Sequence, residues 1–78
     1  MSYTPVNCNF YDELEALATL GKRCEIIFLN EEGRVTLTGI IKDLYTRDGV
    51  EYLRMDSGLV IRLDKLVQVD GKIPSNYC

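Results

Sequence analysis

Seventy-eight residues make one domain, and a chain this short buries only about 60% of its unfolded surface, so its core must be thin. Hydrophobic residues are 46% and charged residues 27%, ordinary for a globular protein, and no apolar run approaches the roughly 18 residues of a membrane span. With 12 acidic side chains, 9 basic ones and no histidine the net charge is −3, and a continuous basic stripe for phosphates is absent from the sequence.

Residues 1–8 read as an extended leader, because Pro5 disfavours helix at Thr4 and supplies no donor. They lack the basic and apolar blocks of a signal peptide, so a cytoplasmic location is expected. A helix follows over 9–20, with Asn9 or Asn7 as its N-cap and Gly21 as its stop. At 100° per residue Phe10, Leu14, Leu17 and Ala18 share one side. Asp12, Glu15 and Thr19 fall on the opposite side, with Glu13 on a flank. Asp12 and Glu13 are expected in the first turn, where carboxylates complement the helix dipole.

After Gly21 the pattern becomes strand-like. Strands are expected over 23–29, 34–45, 50–56, 59–63 and 66–69, separated by turns at Asn30–Gly33, Thr46–Gly49 and Ser57–Gly58. Gly39, inside the long second strand, marks an expected bulge or sharp bend. A mobile tail is expected over 70–78. The fold class that results is mainly β with one N-terminal α-helix, a small five-stranded Sm-like (SH3-like) barrel over 23–69. An OB-fold fits less well, since its helix usually lies between the third and fourth strands, where only a two-residue turn is available.

Charge is unevenly spread. Residues 1–33 carry six acids against two bases, whereas 34–78 carry seven bases against six acids. The N-terminal third is therefore suited to meet a basic surface. Catalysis finds no support: the commonest general base is missing, the three serines sit in turns or a terminus, and the glycines are scattered one per turn or bend. Cys8, Cys24 and Cys78 are widely spaced and odd in number, which fits neither a disulfide framework nor a zinc site. No cofactor or metal is expected.

Three blocks carry a resemblance. They are Tyr3-x-Pro5-Val6-Asn7-Cys8-x-x-Tyr11-Asp12-x-Leu14-Glu15, then Asp43-Leu44-x-x-Arg47-x-x-Val50-Glu51-Tyr52-Leu53, then Arg62-Leu63-Asp64-Lys65. In this order, across roughly residues 3 to 69, they resemble the Rof (YaeO) family of antiterminators that bind the transcription terminator Rho. Asn9 stands where that family often has an acid, and the stretch 18–23 aligns poorly. The resemblance implies an Sm-like barrel with an N-terminal helix, and the free chain is expected to be monomeric. It also implies binding to the N-terminal RNA-binding region of Rho, blocking RNA loading and inhibiting Rho-dependent termination. The matched residues Asn7, Tyr11, Asp12, Glu15 and Arg47, with the neighbouring Glu13 and Asp48, become the expected partner contacts. Asp12 and Glu15 would pair with Lys or Arg of Rho. Tyr11 would stack on a guanidinium or pack beneath the helix, and Asn7 would fix the leader or cap the helix. No direct nucleic-acid contact is expected. The alternative is an Sm-like protein that binds single-stranded RNA itself, through Lys42, Arg47, Arg54 and Arg62 with Tyr45 or Tyr52 for stacking.

Overall fold

The structure is a computed structural model and describes residues 8–74. One helix, α1 (Cys8–Leu20), precedes five strands: β1 (Arg23–Asn30), β2 (Gly33–Arg47), β3 (Val50–Met55), β4 (Val60–Arg62) and β5 (Leu66–Val69). A short 3₁₀ turn, Leu63–Lys65, joins the last two.

Helix α1 stops as its glycine demands. Gly21 takes φ +64°, its N–H donates to the Ala18 carbonyl, and the Lys22 N–H donates to the Leu17 carbonyl, both at 3.2 Å. That pair of bonds is a Schellman motif, which a residue with a Cβ would strain. The helix start differs from expectation. It includes Cys8, so Asn9 lies inside the helix and does not cap it, and the alternative cap, Asn7, lies outside the described residues. The earlier start also moves Asp12 and Glu13 out of the first turn, which carries no acid. Their contribution to the dipole is correspondingly reduced, since the effect fades within one turn.

The strands form one antiparallel sheet in the order β4-β3-β2-β1-β5. Strand β2 serves both halves: 33–40 pair with β1 and 41–47 with β3. At the crossover, an added Cβ on Gly39 would lie 3.0 Å from Asp56 Oδ1 and 3.1 Å from Met55 Cε, so both side-chain tips would have to shift by a few tenths of an ångström. The register irregularity itself falls later than expected, between Ile41 and Asp43. Gly39 admits a neighbour, and the extra residue at Lys42 turns the strand.

Strand β4 is shorter than its expected 59–63, because Leu63 enters the 3₁₀ turn. Strands β4 and β5 are the two edges and the sheet is not closed into a barrel. The expected tail begins with a held segment. Asp70, at φ +51°, donates its N–H to the Glu25 carbonyl at 2.8 Å and pairs with Lys22 at 2.9 Å, and Lys72 bridges back to Val69. Residues 75–78 of that tail lie outside the described residues.

The core gathers Phe10, Leu14 and Leu17 from α1 with Cys24, Ile26, Ile41, Leu53, Met55, Ile61, Leu63, Leu66 and Val69. Helix α1 thus covers the inner side of the sheet with its apolar stripe. Among the described residues no polar or charged side chain is buried, and no helix is long and apolar enough to cross a membrane.

Candidate functional site

The exposed face of α1 follows from the buried one. Seating Phe10, Leu14 and Leu17 turns Asp12 and Glu15 outward, three residues apart and on one side. Among the described residues neither makes an ion pair. Glu13 is different: it is half-buried and reaches Lys72 Nζ at 4.0 Å, so its charge is directed toward the end of the sheet.

Tyr11 joins helix to sheet. Its side chain is half-buried and packs against the core, beneath the helix. Burial pushes its phenol pKa up, and the neighbouring carboxylates of Glu15, Glu51 and Asp43 push it further in the same direction. Carboxylates of α1, β3 and β2 thus act in the same direction on one phenol. Asp43 also meets Arg54 at 3.6 Å, a long and half-exposed pair. Alongside Glu15 runs an open groove of about 310 Å³ between α1 and β2, lined by Glu15, Ala18, Thr19, Lys42, Asp43 and Leu44. The groove carries two carboxylates, Glu15 and Asp43, and the Lys42 ammonium over the apolar Ala18 and Leu44, so a basic side chain that enters it would meet the acids in competition with Lys42.

Arg47 and Asp48 stand at the tip of the β2–β3 hairpin, both exposed. Asp48 and Gly49 have φ +54° and +78°, the paired positive values that a two-residue type I′ loop requires. The same hairpin carries Glu51, opposite Thr46 and three residues from Asp48, and its charge acts on Tyr11. Of the expected contact residues, then, Tyr11, Asp12 and Glu15 come together on α1, Glu13 faces aside, and Arg47 with Asp48 forms a second element at the hairpin tip. Asn7 lies outside the described residues. Sequence reasoning missed Asp43 and Glu51 as acids that act on Tyr11. The hairpin register fixed by Asp48-Gly49 puts Glu51 on the face of Leu53 and Asp43 opposite Arg54, and no signal in the sequence places either beside the helix.

Cys24 is buried in β1, and burial, followed by the nearby Asp70 charge, raises its thiol pKa against a smaller opposing effect of Lys22. Such a thiol is a small core hydrophobe. Among the described residues no cluster of three or more His, Cys, Asp or Glu side chains is arranged to hold a metal ion. Compared with known proteins, the chain matches no protein-family model and no curated protein.

Proposed function

We propose that this chain is an inhibitory binding module of the Rof type, which seats its acidic helix face on the RNA-binding region of Rho and obstructs RNA loading. The observation that carries the reading is the pair of outward carboxylates Asp12 and Glu15 on α1, which make no ion pair among the described residues, with Asp43 lining the groove beside Glu15. A surface that grips phosphates must itself be cationic, and a rigid row of carboxylates competes for those cations. The resemblance of the three sequence blocks supports the same partner, and the bent five-stranded sheet under a helix is read as an open variant of the Sm-like barrel. Arg47 and Asp48 supply a second contact from the hairpin tip.

The competition this mechanism requires can be measured. Immobilised protein should capture purified Rho at low salt, and a pyrimidine-rich oligonucleotide should displace it. Absence of capture at low salt would overturn the proposal.

A further inference from the structure

The hairpin register places a second set of side chains on the face turned away from α1. The row Leu44, Leu53, Ile61 points into the core, so the rows on either side of it point out. One outer row is Tyr45, Tyr52, Arg62, and the other is Asp43, Arg54, Val60. Arg47, opposite Val50, continues the same face toward the turn. The two tyrosine rings stack with centroids 5.3 Å apart and planes 22° from parallel, and neither is buried. Arg62 is fixed next to them by Asp64, its Nε and Nη2 donating at 3.1 and 2.8 Å. Among the described residues Arg47 makes no ion pair.

We infer that this Tyr45–Tyr52 plate, bordered by Arg47, Arg54 and Arg62, is a binding face for the unpaired bases of a short single strand of nucleic acid. A stacked pair of half-exposed rings presents an apolar plate of base-like size, and base stacking on tyrosine is tolerant of sequence. Guanidinium groups at its border sit where a backbone phosphate would follow a stacked base. Electrostatics make the face distinctive. Asp43 and Asp64 already pair with Arg54 and Arg62, and Arg47 has Asp48 as its exposed neighbour at the hairpin tip. The face is thus close to neutral, and Arg47 is its one cation outside an ion pair among the described arginines of the face. Binding is therefore led by stacking, and its salt dependence is shallow. With one or two phosphates neutralised, the slope of log K against log salt is about −0.7 to −1.4. The overall charge of −3 is no obstacle on this face, because Asp12 and Glu15 lie on α1, on the other side of the sheet. The plate shares Arg47 with the proposed hairpin-tip contact to Rho, and Asp43 lies both beside Arg54 and in the groove next to Glu15. The Asp12→Lys, Glu15→Lys variant alters the helix face alone and so separates the two readings.

The test is a titration of the full chain with an eight-nucleotide single strand. The chain has no tryptophan, so tyrosine emission is read directly, with amide shifts assigned along β2, β3 and β4. Quenching together with shifts centred on Tyr45 and Tyr52, and the shallow salt slope, is the expected result. Tyr52→Leu, which keeps a strand-compatible apolar side chain, should weaken binding by roughly 5- to 100-fold, the range of one lost base stack. Arg47→Gln, in an exposed position that tolerates exchange, should reduce the salt slope. Asp12→Lys with Glu15→Lys should leave strand binding in place even if Rho binding is lost. Shifts centred elsewhere, a mononucleotide binding as tightly as the octamer, or a Tyr52→Leu protein that folds and binds the octamer unchanged would each overturn the inference.

Discussion

Replacing Leu14 by Ala should separate the energetics of helix docking from the helix's own stability. Leu14 is 0% exposed and sits between Phe10 and Leu17 in the contact of α1 with the sheet, whereas Leu20, on the last turn of the same helix, is 75% exposed. Deleting three carbons from the buried site costs the transfer free energy of those atoms plus a cavity, about 2–5 kcal/mol. A domain of this length has about 4–12 kcal/mol in total. The loss is therefore a large share of the whole. At about 4–8 °C per kcal/mol, a 3 kcal/mol loss lowers Tm by about 12–24 °C. Leu20→Ala should change stability by less than about 0.5 kcal/mol, because the side chain is already in water. Urea and thermal denaturation followed by circular dichroism give both numbers. A Leu14→Ala loss under about 1 kcal/mol, or equal effects at the two positions, would refute the docking of α1 described above.

Three further outcomes follow from the geometry. Gly39→Ala places a methyl against Asp56 and Met55 and should cost about 1–3 kcal/mol in the same denaturation assay, with amide shifts clustered at the β2–β3 crossover. Cys24 should resist alkylation at pH 8 in the folded protein and react on unfolding, as read by peptide mass spectrometry, because its thiol is both buried and raised in pKa. Tyr11 has a folded-state pKa above that of the unfolded chain, so the unfolded state sheds its proton first as pH rises. Its contribution is complete below the ordinary tyrosine pKa of about 10 and is lost as pH climbs through the raised value. Tyr11→Phe should accordingly flatten the alkaline limb of a stability–pH profile, while Glu15→Gln should lower the Tyr11 pKa in a spectrophotometric titration.

Much of the fold was legible because local signals agreed with one another. The stripe Phe10, Leu14, Leu17 and the stop at Gly21 define the helix without tertiary information, and β5 falls at Leu66–Val69 as its short apolar run suggests. The helix start was obscured by two asparagines that both suit a cap. The turn of β2 was assigned to Gly39, the only glycine in the expected span 34–45, although the irregularity lies at Lys42, whose side chain carries no local signal for a bulge. Closure of the sheet depends on whether β4 reaches β5, and the 3₁₀ turn at Leu63–Lys65 takes Leu63 from the expected β4 and begins one residue before the break expected at Asp64-Lys65.

The site was legible in the same uneven way. Asp12 and Glu15 are fixed outward by helical periodicity alone. Asp43 lines the groove beside Glu15 from a strand some 30 residues away, a proximity that no local signal in the sequence carries. Register explains the tyrosine plate. Once Asp48-Gly49 is taken as a two-residue loop, Tyr45 must face Tyr52 and Asp43 must face Arg54. The arginines alternate with buried positions on separate strands, so no basic stripe is visible along the chain.

The most direct test of the central claim is the affinity of purified Rho for the wild-type protein and for the Asp12→Lys, Glu15→Lys variant, titrated across salt concentration. Both substitutions are exposed and should leave the denaturation midpoint nearly unchanged. The account predicts salt-sensitive wild-type binding that the variant loses while remaining folded. A folded variant that binds Rho as tightly as wild type would contradict the acidic helix face as the contact.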